Sequence, residues 1–120
     1  MEETYQAEGL KKRSKQFAIR AIRLVQALPK TDVARVIGKQ LLRSATSVAA
    51  NYRAVCRARS KAEFVAKIGI VVEEIDESVF WLEILVETDI VAQSRLGNLH
   101  KEASELLAIF AASQHTAKGR

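Results

Sequence analysis

One cysteine, two histidines and a run of closely spaced carboxylates are the residues of this chain that could carry out chemistry. Cys56 stands between Arg53 and Arg57, and nearby cations lower a thiol pKa and favour a nucleophilic thiolate. No histidine has an evident reason to lie beside it, so Cys56 reads as a small apolar residue near the end of a helix seam. Glu73, Glu74, Asp76 and Glu77 could supply an acid–base pair. On a helix, however, Glu73 and Glu77 share a face, with Glu83 and Glu87 further along, and that pattern reads as a solvated or interface-forming surface. His100 and His115 are preceded at three residues by Gly97 and Ala112. The Glu-x-x-His pairs that hold di-metal sites in bundle cores are therefore missing. The sequence predicts no enzyme, no metal site and no cofactor.

Basic residues carry the stronger signal. Residues 1–62 hold 14 Lys and Arg against 4 Asp and Glu (+10), and residues 63–120 hold 5 against 10 (−5), for a net charge of +5. Arg53, Arg57 and Lys61 follow an i, i+4, i+8 spacing, with Arg59 close by, and Lys11, Lys12, Arg13 and Lys15 form a second cluster. Like charges stacked this way repel by about a few tenths of a kcal/mol per pair, so a counter-charge is expected. It could be phosphate or the acidic half of the same protein. The candidate nucleic-acid contacts are Arg53, Arg57, Arg59, Lys61, Arg43, Lys12 and Arg13. With few aromatic residues to stack on bases, such binding would be backbone-dominated and salt-sensitive.

The elements that position these residues are helices. Hydrophobic residues make up 48% of the 120 but aromatics only 6%, and one Pro with five Gly offers little turn chemistry for an all-β fold. Seams spaced 4-3-4-3 run through Leu10, Ser14, Phe17, Ala21, Leu24 and Leu28, and through Ile37, Leu41, Ala45, Val48, Tyr52 and Val55. Two more follow Phe64, Ile68, Val71, Ile75, Ser78, Leu82 and Leu85, and Leu96, Leu99, Ala103, Leu106 and Phe110. Pro29 stops the first helix, Thr31 or Asp32 caps the second, and Ser60-Lys61-Ala62-Glu63 is a capping box in which Glu63 reaches back to the Ser60 N–H. Ser44, Thr46, Ser47 and Asn51 are expected to bond i−4 carbonyls or one another. The expected fold is all-α, one up-down-up-down antiparallel four-helix bundle domain over 1–120. Its helices cover about 10–28, 33–58, 61–87 and 93–113, with frayed tails at 1–9 and 115–120. Val72, Val79, Ile84 and Val86 lie outside the third seam and suggest a second apolar face for a neighbouring subunit. No apolar run reaches the roughly 18 residues of a membrane span. The absence of an h-region and the single cysteine predict a cytoplasmic protein.

The run from Leu10 to about Phe110 resembles the four-helix-bundle proteins encoded in intervening sequences of bacterial 23S ribosomal RNA genes. The resemblance rests on Gln40–Val48, on Ala50-Asn51-Tyr52-Arg53, on Arg59–Phe64, on Glu77–Leu82, and on Phe17 with the Leu28-Pro29-Lys30 stop. Many members carry an acidic residue and then Gly where this chain has Ala54 and Val55. The resemblance implies a ring-shaped homo-oligomer, a homopentamer. A more distant likeness to the accessory protein of diversity-generating retroelements implies a basic surface for nucleic acid and a partner protein. The expected function is an RNA- or nucleic-acid-binding accessory module, with a protein-interaction scaffold as the alternative.

Overall fold

The computed structural model describes residues 2–119, with side chains from Gln6 onward. Four helices follow one another: α1 (Glu2–Gln26), α2 (Asp32–Val55), α3 (Lys61–Glu87) and α4 (Gln93–Lys118). No strand occurs among the described residues. A helix of 25 residues is about 38 Å long, and the molecule measures 46 × 21 × 20 Å. The short connections therefore force each helix to reverse on its predecessor. Each packs on the next, α1 on α2, α2 on α3 and α3 on α4, whereas α1 and α4 close the bundle through a much thinner contact.

The seams form the core. Leu41, Ala45, Val48, Ile68, Val71, Ile75, Leu82, Leu85, Ala103, Leu106 and Phe110 are fully buried, joined by Phe17 and Ala21 from α1. Helices α1 and α2 approach closely at Gly38, where a Cβ would stand 3.0 Å from Leu28 Cδ1. Helices α2 and α3 approach at a buried serine pair. The Ser78 Oγ lies 2.9 Å from Ser44 Oγ and 2.9 Å from the Glu74 carbonyl, and Ser44 donates to the Leu41 carbonyl at 3.2 Å. Both hydroxyls are thus satisfied without water. Thr46 and Asn51 likewise bond the Leu42 and Ser47 carbonyls.

Helix ends differ from the sequence reading. Segment 1–9, expected to fray, is helical from Glu2, and α4 continues past residue 113 to Lys118; Met1 and Arg120 lie outside the described residues. Helix α2 stops at Val55 rather than Ala58. There the Arg57 and Ala58 N–H groups turn to the Ala54 and Val55 carbonyls, the i−3 pattern of a tightening last turn. The Leu28 N–H bonds Val25 the same way and closes α1 before Pro29.

Thr31 is the cap of α2, its Oγ1 accepting from the Ala34 N–H at 3.1 Å. At α3 the Ser60 Oγ accepts from the Glu63 N–H at 3.1 Å, but Glu63 reaches past Ser60 and accepts from the Arg59 N–H at 3.3 Å. Helix α3 ends in a Schellman motif in which the Ile90 N–H bonds the Leu85 carbonyl and Asp89 occupies φ 60°. That left-handed conformation strains any residue with a Cβ. Asp89→Gly is expected to stabilise the fold by about 0.5–1 kcal/mol, read as a higher thermal midpoint. A lower midpoint would mean that the Asp89 side chain itself holds the turn.

Candidate nucleic-acid interface

The α2–α3 connection sits at the same end of the bundle as the start of α1 and the end of α4, because the helices alternate in direction. Arg53 lies in the last turn of α2, Arg57 and Arg59 in the connection, and Lys61 at the first turn of α3, all exposed. Since α2 stops at Val55, these four do not form the single i, i+4, i+8 helical row that the sequence suggests. They cluster around a turn instead. None of the four forms an ion pair among the described residues. Lys12 is likewise exposed and unpaired among them, on α1.

Two expected contacts are committed elsewhere. Arg13 makes a bidentate bond to Glu102 of α4, Nε to Oε2 at 3.1 Å and a terminal nitrogen to Oε1 at 2.7 Å, with Glu105 at 3.9 Å. The hydrogen bond to Glu102 raises the Arg13 pKa above its usual value. This clamp spans the thin α1–α4 contact, where an exposed pair contributes roughly 0.2–1 kcal/mol. Arg43 bridges Glu74, at 3.1 Å, and Glu77, both on α3. Glu77 also accepts from the Trp81 indole N–H at 3.2 Å. The basic half of the chain is thus partly neutralised by its acidic half inside one protomer.

Those bonds set a pH dependence. The Arg43 bond, aided by Trp81, holds the Glu77 carboxyl below the ordinary carboxylate range. Lys67, with the Arg59 N–H, does the same to Glu63. The unfolded chain then binds these protons more tightly than the folded one. The resulting stability is fully present above the unfolded carboxylate pKa and is lost as pH falls through the folded values. Glu77→Gln is expected to flatten the rise of the urea midpoint between about pH 2 and pH 6. An unchanged slope would mean the bond to Arg43 forms equally in the unfolded chain.

Beside the basic turn opens a cleft of about 1060 Å³, walled by α1 and α4 and floored by the end of α2 and the start of α3. Leu10, Tyr52, Val55, Phe64 and Ile109 line it, with Arg59 and Lys61 on one side and, on the α1 wall, Lys11 paired with Glu8 at 3.0 Å. Tyr52 is buried and packs its ring on Phe110 with centroids 5.0 Å apart. Burial, with the Cys56 thiol beside it, holds the Tyr52 hydroxyl far above its usual pKa. Cys56 is exposed and unbridged.

The four residues expected to face another subunit, Val72, Val79, Ile84 and Val86, are half-buried and pack against the protomer's own core. The apolar residues that α3 exposes are Ile70 and Phe80, 44% and 50% accessible. They share a face with Glu73 and Glu77 at spacings of 3, 4 and 3. The sequence reading missed them because both fall outside the buried seam on a helix that is apolar on most sides. On α2, Val33 and Val36 are also exposed. Among the described residues no group of three or more His, Cys, Asp or Glu is placed to hold a metal ion, and no helix is long and apolar enough to cross a membrane.

A family model described as 23S rRNA-intervening sequence protein matches residues 9–112. Among solved structures, the chain is similar to a protein of unknown function from the S23 ribosomal protein family of Bacteroides thetaiotaomicron. The two are 29% identical with a TM-score of 0.83, over 91% of this chain and 97% of that one. No curated protein matches the chain.

Proposed function

The chain belongs to the 23S rRNA-intervening sequence protein family, and from that premise we propose that it is a binding module that engages structured RNA through its basic end. The observation carrying this reading is the division among its cations. Arg13 and Arg43 are held by carboxylates, whereas Arg53, Arg57, Arg59 and Lys61 project from one turn without such partners among the described residues. Guanidinium groups left in this state suit phosphate oxygens. Tyr52 is buried and Phe64, which lines the cleft beside the turn, is partly buried, so contacts run to the sugar-phosphate backbone more than to stacked bases.

Binding rather than catalysis is favoured because Glu73, Asp76 and Glu87 lie exposed and Glu77 is engaged by Arg43 and Trp81. None shares the secluded setting that tunes an acid–base pair. We further propose a homo-oligomer, supported by exposed Ile70 and Phe80 on an otherwise acidic strip of α3; the family resemblance implies that it is a pentameric ring. The reduced Cys56 suits the cytoplasm. A second reading, in which the basic turn serves assembly or an acidic partner protein, is favoured by that same acidic strip.

The deciding experiment is a salt titration of binding to structured ribosomal RNA fragments, with duplex DNA and heparin as competitors. Expected is RNA-preferring, submicromolar binding at physiological salt, with an affinity that falls steeply and linearly on a log–log plot. Binding that vanishes at physiological salt, or is equal for every polyanion, overturns the RNA reading in favour of assembly.

A further inference from the structure

The thin contact between α1 and α4 leaves a space that the rest of the bundle does not fill. Beyond the Arg13–Glu102 clamp the two helices form opposite walls of the cleft, with α2 and α3 as its floor. The accessible apolar surface comes from half-buried Leu10 on the α1 wall, Phe64 on the floor and Ile109 on the α4 wall, with buried Tyr52 and Val55 beneath them. At the mouth stand Arg59 and Lys61, cations that form no ion pair among the described residues. From this combination we propose that the cleft receives an acidic amphipathic helix of a partner protein, laid between α1 and α4.

Shape, backbone hydrogen bonding and charge select that occupant. A groove walled by two helices accepts a third by side-chain interdigitation, and a helix brings its own backbone hydrogen bonds already satisfied. An extended peptide would bring backbone N–H and C=O groups that no strand among the described residues is there to pair. Arg59 and Lys61, unpaired among the described residues, call for carboxylates flanking the apolar stripe, since a neutral helix would bring them no counter-charge. The about 1060 Å³ available is at the upper end of what a drug-sized ligand occupies, and the cleft lies open along its length. A short helix segment suits such a trough better than a compact small molecule.

This inference goes beyond RNA binding and does not depend on it. The two occupants share Arg59 and Lys61, so they are expected to compete, whereas Arg53 does not line the cleft.

The test uses the full chain and a fluorescein-labelled 18-residue helical peptide with leucines at i, i+4, i+7 and i+11 and glutamates flanking them. A second peptide of identical composition has its leucines scattered around the helix. Fluorescence anisotropy is expected to show the striped peptide binding at least about tenfold more tightly than the scattered one. Filling the cleft from the α4 wall with Ala112→Trp, or with Thr116→Trp if the first variant loses helicity by circular dichroism, is expected to cut striped-peptide affinity at least about tenfold. The same variants should leave RNA affinity unchanged. Equal binding of both peptides would overturn the proposal, because charge alone would account for it. So would cleft-filling variants that keep full peptide affinity, or that instead dissociate an oligomer of the chain, which would assign the cleft to a second copy. Failure of RNA binding in the same samples would strike only the earlier reading.

Discussion

Phe110→Ala is expected to remove about 3–5 kcal/mol of stability, the usual cost of deleting a fully buried aromatic ring. Phe110 is fully buried on α4, and its ring meets Tyr52 of α2 at 5.0 Å in a tilted arrangement. Helices α2 and α4 occupy diagonal corners with no close backbone approach, so this pair meets through side chains inside the shared core. Small domains are held by about 5–15 kcal/mol in all, which leaves the variant near the edge of folding. Urea unfolding should show a much lower midpoint at an unchanged slope. A loss below about 1.5 kcal/mol would mean that the neighbours collapse into the space and that the ring's position is not held. Phe110→Leu, which retains most of the volume, should cost a fraction of this amount.

Joint replacement of Arg53 and Arg57 by glutamate is expected to weaken RNA binding at least about tenfold at physiological salt. Each lost phosphate contact removes about 0.7–0.9 from the slope of log affinity against log salt, so the double variant should bind with a slope flatter by about 1.5. The weakening should be uniform across RNA sequences, because phosphate contacts carry no base information. Arg13→Gln and Arg43→Gln make the informative controls. Both side chains belong to internal ion pairs, so their removal should move stability and leave RNA affinity in place. Unchanged affinity in the double glutamate variant would sink the assignment. A fall in assembled mass by light scattering, without loss of RNA binding, would transfer the basic turn to subunit contacts.

The architecture was legible because spacing alone identifies a buried face. Ile37, Leu41, Ala45, Val48, Tyr52 and Val55 recur at helical intervals and all are buried, as are Leu96, Leu99, Ala103, Leu106 and Phe110. Ser78 was placed in the third seam by its position, although its hydroxyl argues for the surface; the partner that resolves this, Ser44, lies on a different helix. Non-local pairing is what periodicity does not encode. Arg13 sits within a basic run, and only the fold reveals Glu102 opposite it. The same limit applies at helix ends, where a tail of polar residues without a seam carries no signal for continued helix. The row expected from Arg53, Arg57 and Lys61 failed for a local reason, since it assumed helix through a turn that tightens after Val55. The cleft was invisible for a further reason: it is defined by a contact that two helices do not make.

That uneven closure has a kinetic corollary. Three of the four helix–helix contacts join chain neighbours, so α1–α2, α2–α3 and α3–α4 hairpins can form by closing only short loops, at little entropic cost. The remaining contact joins the two ends of the chain, the most expensive loop to close and the least rewarded by packing. Docking of the first half of α1 against α4 therefore belongs at the end of folding and at the start of unfolding. Native-state amide exchange would show it as a cooperative unit opening well below the global free energy while α2 and α3 stay protected. A partner seated between α1 and α4 would slow exchange there first.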